Sequence, residues 1–273
     1  MPAVARIAAA SAPSALSEFA RDIDSLFVPP PPLPSPETRA QALAASIDWS
    51  QQTIVVWVPG TSDHEVPTHV ADRIRKAGGP AAYAMLYQAT WRLRDSVPDG
   101  EATLRAFMEL VAKRRRPGQR IVLIGESQGA WVISSIMRDP ALAKHVFRAS
   151  LVAHPSMAPA HVHESTSTDE RLTAAKVREF NGETDVVTRE VGESAETAID
   201  VVDSFARLDV GRALGRAAKI LVTNPGLIQA LVASQLFRLR GQSNPHSSSD
   251  LMTDAVTWVL GKQAAAVASR SSS

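Results

Sequence analysis

The residues of this chain whose types and spacing could do covalent chemistry are Gly125-Glu126-Ser127-Gln128-Gly129. A serine set two residues from a glycine on either side can occupy a very sharp turn. Only small neighbours let the backbone through such a turn, and its strain lifts the hydroxyl clear. Ile121-Val122-Leu123-Ile124 before it is a run of β-formers, and Ala130-Trp131-Val132 after it suits a helix. The spacing therefore predicts a buried strand, a sharp turn and a helix. In that setting Ser127 reads as a nucleophile, with the free N–H groups of the new helix aimed at charge developing beside it. The competing reading is a tight turn whose serine caps the helix.

A serine hydroxyl is a weak nucleophile and needs a base, ordinarily a histidine oriented by a carboxylate. After an elbow of this kind the acid comes next in the chain, then the histidine. Seven histidines compete. His246, in Ser243-Asn244-Pro245-His246-Ser247, lies beyond the last strand and just before the last helix. A loop there can fold back over the sheet edge that bears Ser127, so His246 is read as the base. His154 also ends a strand beside the elbow strand; it is the rival base and otherwise a residue lining the site. Asn181-Gly182-Glu183-Thr184-Asp185-Val186-Val187 follows a strand on the same edge, which makes Asp185 the favoured acid and Glu183 the second choice.

The tetrahedral oxyanion requires two N–H donors. Gln128, directly after the nucleophile, supplies one. The other belongs to the loop after Thr53–Val58, where Pro59 has no N–H, Gly60 permits close approach, and Thr61 and Ser62 are the candidates. Thr61 is taken as the donor and Ser62 as a residue lining the substrate. An ordinary strand-end turn is the alternative. His161 and His163, near His154, alternate in a Ser/Thr-rich loop, a weak pattern for metal ligation, so no metal or cofactor is expected.

The elements that must position these residues alternate in type. A short helix is predicted over 14–27, a proline-rich linker over 28–36 and a second short helix over 37–47. Strands are predicted over 53–58, 82–88, 121–124, 148–153 and 176–180, with helices near 67–77 and from Pro98-Asp99-Gly100 to the Arg114-Arg115-Arg116 cluster. A last helix over 250–260 is capped by the serines before it. Strands alternating with helices predict a mostly parallel sheet covered on both faces. The expected organisation is N-terminal helices and linker over 1–50, an α/β core over 51–192, a helical insertion over 193–242, and the end of the core with a disordered tail over 243–273.

The 273 residues carry 29 basic and 28 acidic side chains, which argues against nucleic acid as the main partner. With no cysteine there is no disulfide, no thiolate nucleophile and no cysteine-held metal. Arg6 before a short Ala-rich run broken by Ser11 and Pro13 makes a poor secretory signal. No apolar stretch approaches the roughly 20 residues of a membrane span. The expectation is a cytoplasmic protein with no transmembrane segment.

Together these segments resemble the cutinase-like branch of the α/β-hydrolase superfamily. Gly125-Glu126-Ser127-Gln128-Gly129-Ala130 is close to that branch's Gly-Tyr-Ser-Gln-Gly-Ala, with Glu126 in the variable position. Gly60-Thr61 resembles its oxyanion-loop Gly-Thr, residues 182–187 are similar to its acid loop, and His246 before a C-terminal helix fits its histidine. The resemblance covers roughly 53–190 and 243–262. Two features depart from it: secreted cutinases carry disulfides, and residues 186–245 lengthen the connection from acid to histidine. The longer connection is similar in architecture to phage lysin B.

What the resemblance implies is an α/β-hydrolase-type sheet with a helical insertion before the histidine. It also implies a serine esterase that takes a small-molecule or lipid ester through a Ser127–His246–Asp185 triad and an acyl-enzyme. The same machinery serves acyl transfer or thioester cleavage, and a non-catalytic binding module of the same fold is the alternative from another class. The apolar residues of 199–239, among them Phe205, Leu221, Leu227, Leu231 and Phe237, read either as a cover over an acyl site or as plain core.

Overall fold

Two apolar runs dictate the centre of the sheet. In the computed structural model, which describes residues 32–61, 64–90, 92–155, 176–181 and 249–261, they form β1 (Thr53–Val58) and β3 (Arg120–Glu126). The two strands pair in parallel from Thr53 opposite Arg120 to Val58 opposite Gly125. Strands covered on both faces read as continuous apolar runs, because neither side meets water. β2 (Ala82–Ala84) pairs with β1, β4 (Arg148–Val152) with β3, and β5 (Val177–Phe180) with β4, all in parallel. The order is therefore β2-β1-β3-β4-β5. β2 stops at Ala84, short of the predicted Gln88. Beyond Met85, whose N–H still reaches the Trp57 carbonyl, the backbone turns and Ala89 N–H donates to Tyr87 O at 2.8 Å.

Alternate strand residues meet different helical layers, as the period of two requires. Ile54, Val56, Val58, Ile121, Leu123 and Leu151 share a core with α1 (Pro36–Ser46), α3 (Leu93–Arg114), α4 (Gln128–Met137) and the short α5 (Pro140–Ala143). Val55, Trp57, Val122, Ile124, Val152 and Phe180 pack on the other face with α2 (Thr68–Lys76) and α6 (Ser249–Leu260). The architecture is α/β, a parallel sheet with helices on both faces. α3 starts earlier than its proline signal, at Leu93. Pro98 inside it forfeits one backbone bond, and burial of Leu93 and Val97 outweighs that loss.

α6 carries directional information. Ser150 Oγ donates to Ala255 O at 3.0 Å, and Arg148, nearer the start of β4, donates to Trp258 O. Moving toward the start of the strand moves toward the end of the helix. α6 therefore runs antiparallel to β4, and its first residue, Ser249, stands at the carboxyl edge of the sheet. The predicted 14–27 helix, residues 28–31 of the proline-rich linker and the whole 193–242 insertion lie outside the described residues. Among the described residues no helix is long and apolar enough to cross a membrane.

Among the described glycines, the tightest approach lies between α4 and the strands beneath it. A Cβ built on Gly129 would fall on the Val58 carbonyl oxygen and 2.6 Å from that of Pro59. One built on Gly125 would stand 2.6 Å from the Gly129 oxygen. Both glycines of the pentapeptide are thus fixed by space, since no side chain fits at either position.

α1 is tied to α3 by a two-pronged ion pair. Arg39 donates to the Asp99 carboxylate at 2.7 and 2.5 Å, and Asp99 also accepts the Gln88 N–H at 2.9 Å. Burial alone would raise the Asp99 carboxyl, but the Arg39 and Gln88 hydrogen bonds and the guanidinium charge outweigh it and hold the group below its ordinary value.

Two outcomes follow from this packing. Gly129→Ala is expected to lower the thermal midpoint sharply or to prevent folding, at or beyond the upper end of the roughly 1–3 kcal/mol that overpacking costs; a variant melting like the wild type contradicts the account. The Asp99 contribution is present above the unfolded carboxyl pKa of about 3.9 and is lost as pH falls through the lower folded value. Asp99→Asn should therefore unfold at a lower urea midpoint than the wild type at pH 7, with the gap closing below about pH 4. A gap independent of pH contradicts this assignment.

Candidate active site

β1 and β3 are neighbours whose outgoing connections run in opposite directions, β1 toward β2 and β3 toward β4. Parallel α/β sheets open a crevice at the carboxyl ends of such a pair, because the two crossover helices diverge there. Both segments that the sequence singles out emerge at this point. Ser127 follows β3 directly, and Pro59-Gly60-Thr61 follows β1.

Ser127 has φ 51° and ψ −116°, a backbone conformation in which a residue with a side chain is strained. Its N–H is held by Val152 O at 2.8 Å, and its carbonyl accepts the first helical bond from Trp131 at 3.2 Å. Its side chain makes no capping hydrogen bond to the helix it precedes. The serine is partly exposed between buried neighbours. The hydroxyl thus stands at the start of α4 without being used to cap it.

The β1 loop lies against this turn. A Cβ on Gly60 would stand 3.6 Å from Ser127 Cβ and 3.2 Å from Glu126 O. Thr61 is the next residue and is partly exposed. Gln128 is the first residue of α4, where backbone N–H groups have no acceptor within the helix. Ser127, Thr61 and Gln128 therefore share one corner of the sheet edge.

The Gln128 side chain turns inward. It is 2% exposed; its amide nitrogen donates to Thr90 O at 2.9 Å, and Tyr87 Oη and Ser96 Oγ lie 3.2 and 2.8 Å from its oxygen. Tyr87 Oη also donates to Pro59 O at 2.7 Å. Ser96 Oγ reaches Gln88 O and accepts the Thr90 N–H at 3.0 Å. The sequence gives no sign of Tyr87 or Ser96, which meet Gln128 only through the tertiary fold.

His154 lies just past β4, beyond the positive-φ residue Ala153. It is fully buried. Its Nε2 is 3.0 Å from Ser134 Oγ on α4, and its Nδ1 is 3.5 Å from Glu179 Oε1 on β5. Its N–H donates to Asn181 Oδ1 at 3.0 Å, and Asn181 Nδ2 reaches Glu179 at 3.3 Å. This array stitches the end of β5 to the elbow helix. Ser62, Asp185, Glu183 and His246 lie outside the described residues, as do His161 and His163. Among the described residues no three His, Asp or Glu side chains come together as metal ligands.

No protein-family model matches the chain, and no curated protein does. Among solved structures it is similar to a Trichoderma reesei cutinase in complex with a phosphonate inhibitor, at 15% identity over 66% of this chain and 88% of that one, with a TM-score of 0.36. It is similar also to an acetylxylan esterase, at 18% identity over 61% of this chain and 97% of that one, again with a TM-score of 0.36.

Proposed function

We propose that the chain is a serine hydrolase of carboxylic esters. The observation that carries this reading is the backbone of Ser127, a strained non-glycine residue at φ 51° whose hydroxyl does not cap the helix it begins. Strain of this kind costs on the order of 1–3 kcal/mol and persists only where the surroundings impose it. A serine that merely ended a strand could adopt an ordinary turn without that cost.

Ser127 Oγ attacks the ester carbonyl carbon while His246 takes its proton, and Asp185 orients the imidazole. The N–H groups of Thr61 and Gln128 donate to the developing oxyanion. Collapse breaks the bond to the alcohol, which leaves with the proton from His246, and Ser127 keeps the acyl group. Water, deprotonated by the same histidine, then releases the acid. Ser62 lines the substrate, whereas His154, expected there from the sequence, is fully buried against Ser134, Asn181 and Glu179 and braces the sheet edge behind it.

Chain geometry supports the two partners beyond the described residues. Asp185 follows Asn181 by four residues, so it lies within about 14 Å of a residue bonded to the carboxyl end of β4. His246 precedes Ser249, the start of α6 at the same edge, by three residues and about 11 Å at most. Residues 193–242, which join the acid and histidine segments, are read as a cover that accepts a lipophilic acyl chain.

The test is turnover of p-nitrophenyl esters of graded chain length. Ser127→Ala, His246→Ala and Asp185→Asn should each lower kcat by roughly three to six orders of magnitude, with combined losses far from additive. Near-wild-type turnover in His246→Ala, with loss in His154→Ala, would overturn the base assignment. Replacing 227–238 with a Gly/Ser linker should impair long-chain esters and spare acetate. An unchanged chain-length preference in the folded variant makes that segment scaffold.

A further inference from the structure

An oxyanion hole lowers a barrier only if its donors are fixed in place before charge develops, at 2.7–3.1 Å from where the oxygen will be. The two donors here belong to different segments. Thr61 sits on the loop after β1, a mobile class of structure unless something ties it, and Gln128 sits at the start of a helix. Both segments meet at one buried hydroxyl, that of Tyr87.

We propose that Tyr87 is the positioning residue of the oxyanion hole, fixing the Pro59-Gly60-Thr61 loop against the start of α4 through the Gln128 side chain. This rests on the ester-hydrolase reading above. Tyr87 Oη lies 2.7 Å from Pro59 O and 3.2 Å from Gln128 Oε1. A phenol has one proton, and here it is shared in a three-centre bond, mainly to Pro59 O, the residue two before Thr61, and more weakly to Gln128 Oε1. The ring cannot swing away. Tyr87 is fully buried, and a Cβ on Gly100 of α3 would stand 2.8 Å from its Cδ2, so the helix backbone lies directly against the ring.

The other end of the bridge is equally fixed. Gln128 donates to Thr90 O, and Ser96 Oγ lies 2.8 Å from its oxygen. Ser96 in turn reaches Gln88 O and accepts the Thr90 N–H. The loops that follow β1, β2 and β3 are thus joined in one buried polar cluster directly beneath the two donors. Such clusters are rigid when satisfied, since a buried polar group left without a partner is costly. A site that needed only a nucleophile would not require this cluster. One that needs two N–H groups at a fixed separation does.

Tyr87→Phe keeps the ring and removes the bridge. It should lower kcat about 10- to 100-fold on short p-nitrophenyl esters, short of the roughly 10²- to 10³-fold that deleting a donor costs. KM should stay near the wild-type value. The rate of phosphonylation at Ser127 should fall by the same factor, because that reaction also builds charge on an oxygen in the hole. Gln128→Leu keeps the backbone N–H and breaks the bridge from the other side. Its defect should match, and the double variant should be no worse than either single one.

A folded Tyr87→Phe protein with wild-type kcat overturns the proposal, as do defects of the two variants that multiply. A change confined to thermal midpoint or KM overturns it too, and leaves Tyr87 a packing residue. Should Tyr87→Phe fail to fold, Gln128→Leu decides by the same criterion. A wild-type protein that neither hydrolyses esters nor reacts at Ser127 overturns the hydrolase reading itself, and this inference with it. An active wild type indifferent to Tyr87 overturns the inference alone.

Discussion

The first turn of α4 lies on the bare carbonyl oxygens of Val58 and Pro59, and the rest of the site depends on that contact. A helix can begin so close to the end of a neighbouring strand only if its first turn carries no side chain there, which requires Gly129. The strand feeding it must also turn within one residue, which forces Ser127 to positive φ. Gly125 clears the space beneath the turn. The serine is thereby left where its hydroxyl is not needed by the helix and the free N–H groups of that helix lie beside it. One packing constraint produces the exposure of Ser127 and the placement of the helix N–H groups beside it together.

Core packing makes the strain affordable. Ile121, Val122, Leu123 and Ile124 of β3 are fully buried. Burying one such side chain stabilises by about 1.5–3 kcal/mol, so a strained residue costs no more than one of them contributes. The strand cannot relax the turn by slipping. Its register is fixed on both sides, against β1 by Val58 opposite Gly125 and against β4 by Glu126 opposite Val152. A slip of one residue would move every one of its side chains to the wrong face.

Much of this was legible in the sequence, for identifiable reasons. Thr53–Val58 is found as predicted because a doubly covered strand must be apolar throughout. The turn at Ser127 was legible because its glycines are required by backbone contact, and Gly60 of the β1 loop lies against that turn. What local patterns miss is decided by distant partners. β2 ends early because Tyr87 is drawn to Pro59 and Gln128. α3 begins before its proline because Leu93 and Val97 find a core and Ser96 finds Gln128. α5 is four residues long, too short to show any periodicity, and rests on its Asp139 cap. The contacts of His154 with Ser134, Glu179 and Asn181 join three separate elements, and no spacing in the chain announces them.

The central claim is that Ser127 is a nucleophile held ready by its backbone. Its most direct measurement is intact mass after treatment with a fluorophosphonate, followed by mapping of the modified peptide. The account predicts one adduct per chain, on Ser127, formed in step with loss of ester hydrolysis and absent from Ser127→Ala. An adduct on another serine, or hydrolysis that persists in fully modified or Ser127→Ala protein, would contradict it.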